Sequence, residues 1–242
     1  MSRHSTIGLC LLVSCTPFPE GAAHGAKQVR VFVALADNAS QGIAPVPAKI
    51  GNGDDSDSNL YWGSSEGFKS IFARSKAWKL EKAELNPTPE ILERRSYRHA
   101  VKDCVLVAEA WRGKNIHQCL EAFFANVRER RSDLTTFIGH NGLMDEAVGV
   151  TSMDANAKAT DAIVLCCVSG SYFKPHFEAL RARPVLTTEQ LMYPGSFLLR
   201  DALEVWLRGG SRPEIRMAAA NAYAANQHIS LKAASGVFSK LE

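Results

Sequence analysis

The chain has 242 residues, of which 46% are hydrophobic and 22% charged, and its formal net charge is +3. This composition is ordinary for a globular protein, and the slight basic excess gives no electrostatic reason to expect a nucleic acid partner. The length allows one large domain or two small ones, and no apolar run approaches the ~20 residues that span a bilayer.

The N-terminal segment resembles an export signal. Arg3 precedes a short apolar stretch from Ile7 to Val13, and Leu12-Val13-Ser14-Cys15 resembles a bacterial lipobox. We therefore predict a leader and tether over residues 1–26, with Cys15 acylated as the mature N-terminus. The protein would then be exported, either periplasmic or anchored to the membrane as a lipoprotein. A misassigned start codon could produce a similar pattern.

Apolar runs alternate with helical patterns along residues 27–242, which predicts a single α/β domain with a mostly parallel sheet. In chain order, the pattern predicts a strand at Val29–Ala36, a helix over residues 66–80 and a further helix that begins at Asn86 and runs through the nineties. A second strand at Cys104–Ala110 and a helix at Asn115–Arg131 follow.

The C-terminal half continues this alternation. The predicted elements are a third strand at residues 134–139, a short hairpin around 148–153, a fourth strand at 162–166, a fifth at 183–188, and helices over 196–207 and 214–241. No internal repeat and no second domain boundary is visible. We therefore look for candidate catalytic residues at the ends of the strands of this one sheet.

Three polar residues follow predicted strands of this sheet. Asn38 follows the first strand, His140 the third and Cys167 the fourth. In open α/β sheets, working residues cluster at the carboxyl ends of the parallel strands. A thiol, an imidazole that accepts its proton and a group that orients the imidazole would form a cysteine nucleophile. Strand alternation would point Cys166 into the core and Cys167 away from it.

An apolar strand ending in His, followed downstream by an apolar strand ending in Cys-Val-Ser-Gly-Ser (167–171), resembles the legumain and caspase group of cysteine peptidases, and legumain-like enzymes most closely. The Pro- and Gly-containing loop after the first strand and the position of Asn38 are also similar. The resemblance spans roughly residues 28–190 and implies a three-layer caspase-haemoglobinase-like fold with helices on both faces of the sheet.

The resemblance also implies an activity. It implies a cysteine endopeptidase that acts on peptide or protein substrates without a cofactor or a metal. Cys167 would be the nucleophile, His140 the base and Asn38 the support of His140, and the backbone N–H groups of Cys167 and Gly142 would hold the oxyanion. The family has Gly directly after the His, whereas Asn141 intervenes here.

Several alternatives remain open at this stage. The chain could be a non-catalytic binding or scaffolding lipoprotein on the same scaffold, or another thiol hydrolase or transferase that acts on amides. His176 and His117 are rival bases for Cys167. An acidic loop places Asp55, Asp57, Asn59 and Glu66 at calcium-loop positions one, three, five and twelve, although Leu60 replaces the required Gly.

Overall fold

A computed structural model describes residues 25–154, 156 and 159–241 of the chain. The described strands are β1 Lys27–Ala34, β2 Trp78–Thr88, β3 Ile91–His99, β4 Cys104–Trp111, β5 Leu134–Ile138, β6 Asp161–Leu165 and β7 Arg183–Leu186. The described α-helices are α1 Phe68–Ala73, α2 Ile116–Glu129, α3 Ser169–Leu180, α4 Phe197–Leu207, α5 Arg212–Gln227 and α6 Leu231–Ser235. Short 3-10 helices cover Gly113–Asn115 and Gly142–Met144.

The strands form one seven-stranded sheet in the order β2-β3-β4-β1-β5-β6-β7. Strands β4, β1, β5, β6 and β7 run parallel, and the β2–β3 hairpin adds the antiparallel edge. β4 pairs with one side of β1, and β5, the next strand along the chain, pairs with the other side. The order therefore reverses between β1 and β5, which creates a switch point at the carboxyl ends of these strands.

Alternating residues of the central strand supply both faces of the sheet. Val29, Val31 and Val33 belong to a buried cluster with residues of α1, α4, α5 and α6, whereas Phe32 and Ala34 pack with residues of α2 and α3. Because both faces are covered, the parallel strands read as nearly continuous apolar runs. The predicted α/β class, the mostly parallel sheet and the helices on both faces are confirmed.

The structure contradicts the predicted helices over residues 66–80 and through the nineties. Only Phe68–Ala73 is helical, and β2 and β3 form a hairpin where those helices were expected. Asn86 adopts a left-handed conformation with φ 47° inside β2, where the pairing with β3 shifts its register between Leu85 and Thr88, and the turn to β3 follows at Pro89 and Glu90. Arg94 reaches Glu109 of the neighbouring strand at 2.8 Å. Charged residues of this segment therefore pair across strands.

Two further differences lie in the C-terminal half. Residues 148–153 form no hairpin and run as an irregular segment, held to α3 by the Met153 N–H, which donates to the Ala179 carbonyl at 2.8 Å. The long terminal helix is divided, because His228 ends α5 in a left-handed conformation and Ser230 caps α6. No helix of the described residues is long and apolar enough to cross a membrane. The predicted leader lies almost wholly outside the described residues.

Candidate active site

The candidate histidine and cysteine extend neighbouring strands at the same edge of the sheet. Ile138 of β5 pairs with Leu165 of β6, and the Gly139 N–H continues the ladder by donating to the Leu165 carbonyl at 3.3 Å. His140 and Cys167 each follow two residues after that last pair. Since neighbouring strands lie under about 5 Å apart, equivalent register places the two residues side by side at the carboxyl edge.

Cys167 differs from the other cysteines that the structure describes. Cys104, Cys119 and Cys166 are buried and free, whereas Cys167 is half-buried, with its Sγ 3.7 Å from the Met192 carbonyl oxygen. Burial raises the pKa of the Cys104 thiol to about 12 and that of the Cys119 and Cys166 thiols well above the usual value. These three thiols are therefore unreactive core residues.

A strained turn carries Cys167 from β6 into α3. Val168 adopts φ 51° and ψ 34°, a left-handed conformation that is a true outlier for a β-branched residue. Its N–H donates to the Gln190 carbonyl at 3.1 Å. Such outliers persist only where their surroundings enforce them, and they cluster at functional sites.

The Ser-Gly-Ser segment after the cysteine has a structural explanation. The Ser169 hydroxyl donates to the Val164 carbonyl at 2.9 Å and accepts from the Thr188 N–H at 2.9 Å, which fixes the turn against the segment after β7. A side chain at Gly170 would begin 2.6 Å from the Ser239 hydroxyl and 2.9 Å from a Glu189 oxygen, so a larger residue would displace both side chains. Ser169 and Gly170 therefore hold Cys167 in place.

His140 has a carboxylate partner that the sequence analysis missed. Its Nε2 lies 2.8 Å from Oδ2 of Asp145, and the same oxygen accepts the Gly42 N–H at 3.1 Å. Gly139, at φ 154°, turns the chain before His140, and a Cβ there would lie 2.8 Å from the Ala34 carbonyl. A carboxylate five residues after a candidate base was the signal that could have identified Asp145.

Asn38 does not occupy the orienting position that was predicted for it. Its side-chain amide donates to the Val46 carbonyl at 2.8 Å, and its Oδ1 accepts the Val46 N–H at 3.1 Å. Its backbone N–H donates to the Gly51 carbonyl at 2.9 Å. Asn38 thus shapes the loop after β1, and the side chain that bonds to His140 is Asp145.

Asn141, the residue directly after the candidate histidine, joins the two strand ends. It is fully buried, its amide donates to the Cys167 carbonyl at 2.7 Å, and its Oδ1 accepts the Leu143 N–H at 3.2 Å. The Gly142 N–H, the predicted oxyanion donor, instead donates to the His140 carbonyl at 3.1 Å. Within the described residues, the backbone N–H groups of Asn141 and Cys167 have no hydrogen-bond acceptor.

The two rival histidines have other partners. His176 stacks on Phe124 with ring centroids 4.6 Å apart, and its Nε2 donates to the Val148 carbonyl at 2.8 Å. His117 lies on α2 with its Nδ1 3.8 Å from a Glu121 oxygen. Both side chains therefore have partners other than Cys167.

Two side chains of the acidic loop that suggested a calcium site form hydrogen bonds within the protein. Asp57 lies 2.6 Å from the Lys69 ammonium, and this hydrogen bond keeps the pKa of Asp57 below its usual value. Asn59 is buried and bonds to both backbone groups of Ala36 at the end of β1. The described residues contain no cluster of three or more acidic, histidine or cysteine side chains suited to a metal.

Aromatic residues line the sheet edge beside the thiol. Burial raises the pKa of Tyr61, and negative charge at Cys167 and then at Cys166 would raise it further. Tyr193 follows Met192, whose carbonyl contacts Cys167, and its pKa is raised by burial and then by the charge of Glu66. Tyr61 and the Met192–Tyr193 segment are therefore neighbours of Cys167 at this edge of the sheet.

Comparisons of the chain with protein-family models, with curated proteins and with solved structures gave no match.

Proposed function

We propose that this protein is a cysteine peptidase, or a related amide-cleaving thiol hydrolase, with a caspase-haemoglobinase-like fold. The observation that carries the proposal is the equivalent register of His140 and Cys167 at the carboxyl edge of adjacent parallel strands, with Asp145 bonded to the imidazole. The legumain-like sequence motifs support the same assignment. Peptides or proteins are the proposed substrates.

The contact between His140 and Asp145 selects the tautomer of the base. A carboxylate only accepts hydrogen bonds, so the Nε2–H of His140 donates to Asp145. Nδ1 is then the ring nitrogen that takes the thiol proton and later returns it to the leaving amine. Asp145 would be a positioning residue that holds the ring and stabilises the imidazolium when it forms.

The proposed reaction is acyl transfer through a thioester. The Cys167 thiolate attacks the substrate carbonyl, the tetrahedral intermediate expels the amine with the proton from His140, and water hydrolyses the acyl-enzyme. The N–H groups of Cys167 and Asn141 are the proposed oxyanion donors, because neither has an acceptor among the described residues. Asn141 directly follows the histidine, and any residue except proline can supply a backbone N–H there, so glycine is not required.

The turn and helix after Cys167 support its role as the nucleophile. Cys167 precedes the N-terminus of the 12-residue helix α3, whose positive dipole end favours a nearby anion. The left-handed conformation at Val168 turns the chain sharply between strand and helix. The thiol is half-buried, so a substrate can still reach it, and the turn holds it in position.

A panel of acyloxymethyl-ketone probes bearing Asn, Asp, Arg or Lys tests this function directly. We expect at least one probe to form an adduct at Cys167, detected by peptide mass spectrometry, and Cys167→Ala to lose the adduct completely. Cys104→Ala is the matched control, because that thiol is buried in the core, and it should retain labelling.

If folded protein forms no Cys167 adduct with any probe, and His140→Ala leaves the rate of iodoacetamide labelling at Cys167 unchanged, the pair is not catalytic. The non-catalytic scaffold would then be the better description.

We also propose that the protein is exported and anchored through Cys15. Expression of the full chain in a Gram-negative host with labelled palmitate should give lipid incorporation that Cys15→Ala abolishes. Cys10→Ala is the matched control, since Cys10 lies before the lipobox, and it should retain the lipid. A cytoplasmic protein with its original N-terminus would contradict this proposal.

A further inference from the structure

A basic cleft lies at the end of the sheet opposite to the candidate active site. It is bordered by the first residues of β1, β6 and β7 and by the turn between α4 and α5, and its volume is about 630 Å³. Its lining includes five cationic side chains, namely Lys27, Arg130, Arg131, Arg183 and Arg212. Only two acidic side chains, Asp133 and Asp161, accompany them in this lining.

Two of these cations are held in place before any ligand arrives. Arg183 donates two hydrogen bonds to the buried Asp161 carboxylate, at 2.5 Å and 2.8 Å, while about half of its side chain stays exposed. The Lys27 ammonium lies 4.4 Å from the centre of the Trp206 ring, a favourable cation–π contact. Side chains fixed in this way lose little conformational entropy when they bind an anion.

The two acidic groups are already engaged. Asp161 accepts from Arg183 and from the Trp206 indole N–H at 2.8 Å, and Asp133 accepts the Gln28 backbone N–H at 2.7 Å. Arg131 also pairs with Glu129 beside the cleft, and Arg130, Arg131 and Arg212 have further interactions within the chain. The five cations of the lining still outnumber its two carboxylates and Glu129 together. The cleft has a positive field that a multivalent anion would neutralise.

We propose that this cleft binds a small ligand that carries two or more phosphate groups. Guanidinium groups match phosphate oxygens bidentately, and a lysine adds a point charge, so this set of donors suits phosphate better than a single carboxylate. A volume of about 630 Å³ is in the range of small-molecule sites. The site is independent of the proposed peptidase function, because it lies at the amino ends of the same strands.

Isothermal titration with sodium tripolyphosphate tests the proposal on the full chain, at pH 7 and about 0.1 M salt. We expect saturable binding that weakens as salt rises. Binding of the phosphate ligand releases small ions from the charged groups, and added salt opposes this release. The double variant Lys27→Ala/Arg130→Asn should bind at least tenfold more weakly. Asn tolerates the left-handed conformation of Arg130, at φ 52°, so the fold should be retained.

Lys79→Ala/Lys82→Ala is the matched control, because it removes two exposed cations from the distant edge strand β2. It should bind tripolyphosphate as wild type does. Equal weakening in both double variants, or no saturable binding by the wild type, would overturn the proposal.

Titrations with further ligands distinguish which kind of phosphate compound the cleft binds. Tighter binding of ATP than of tripolyphosphate would support a nucleotide ligand, and equal binding would support recognition of the phosphate chain alone. Sulfate that binds as tightly as tripolyphosphate would overturn the requirement for several phosphates. A single-stranded oligonucleotide that binds more tightly than either phosphate ligand, and loses affinity in the same double variant, would instead indicate a nucleic acid surface.

Discussion

At the scale of single residues, Asp145 connects two loops to the candidate base. Its carboxylate accepts from His140 and from the Gly42 N–H, so one side chain links the loop after β1 to the loop after β5. A side chain at position 42 would begin 2.4 Å from an Asp145 oxygen, which explains the glycine there. The position of His140 thus depends on packing between segments about a hundred residues apart.

Asp145→Asn should reduce kcat/KM on a peptide substrate by about 10²-fold or more, because a neutral amide can favour the wrong tautomer of His140. The fall should be mainly in kcat, and Asp145→Glu should recover part of it. Glu146→Gln is the matched control, since Glu146 is exposed and adjacent. Equal effects at positions 145 and 146 would rule out the positioning role.

Cys166 and Cys167 should respond differently to truncation. Cys166 is 0% exposed, so Cys166→Ala should lower the free energy of unfolding by about 1 kcal/mol. Cys167→Ala should leave stability nearly unchanged and abolish labelling by the probes. Urea denaturation and adduct mass spectrometry measure the two effects, and equally fast labelling of both thiols in the folded protein would contradict the assignment.

At the scale of elements, the turn between β6 and α3 positions the nucleophile. The Ser169–Thr188 pair holds the turn from one side, and the Asn141 amide holds the Cys167 carbonyl from the other. Val168 accepts an unfavourable backbone conformation between these two contacts. Such strain has a cost of about 1–2 kcal/mol, which the surrounding hydrogen bonds must offset.

Replacing Val168 with glycine should relieve the backbone strain and also loosen the turn. We expect little net change in stability, because relief of the strain opposes the loss of the half-buried side chain, but slower adduct formation at Cys167. His228→Gly is a matched control at another left-handed position, the exposed C-cap of α5, and should raise stability by about 1 kcal/mol. If His228→Gly slows the labelling of Cys167 equally, the effect does not arise from the turn.

At the scale of the whole molecule, both layers of the core contain thiols that stay protonated. Cys104 lies in the cluster that packs against α4 and α5, whereas Cys119 and Cys166 lie in the cluster with α2 and α3. Burial raises the pKa of all three. In the unfolded chain these thiols would ionise near pH 8.5.

The free energy of unfolding should therefore fall as the pH rises above about 8.5, because the folded state then binds more protons than the unfolded state. Each buried thiol contributes a slope of about 1.4 kcal/mol per pH unit above that point and no slope below it. Urea denaturation between pH 7.5 and 10, under reducing conditions, measures this loss. Cys119→Ala should reduce this slope by about 1.4 kcal/mol per pH unit, the contribution of one thiol. An unchanged slope would show that Cys119 does not contribute.

The sequence by itself determined the parallel part of the sheet. Strands buried on both faces must be apolar along their whole length, so β1, β4, β5, β6 and β7 were visible as runs without any knowledge of their neighbours. The strand-end positions of His140 and Cys167 followed from the same runs. These features depend on local composition, which a single sequence contains.

Only the tertiary structure decided which residues bond to one another. The β2–β3 hairpin was mistaken for helices because its charges pair across strands, and periodicity along the chain does not report such pairing. Asp145 in place of Asn38, and Asn141 as the link to Cys167, depend on loops whose geometry is fixed by contacts from distant segments. A hydrogen bond between loops depends on distances in space, and these are set only when the layers of the sheet and helices pack.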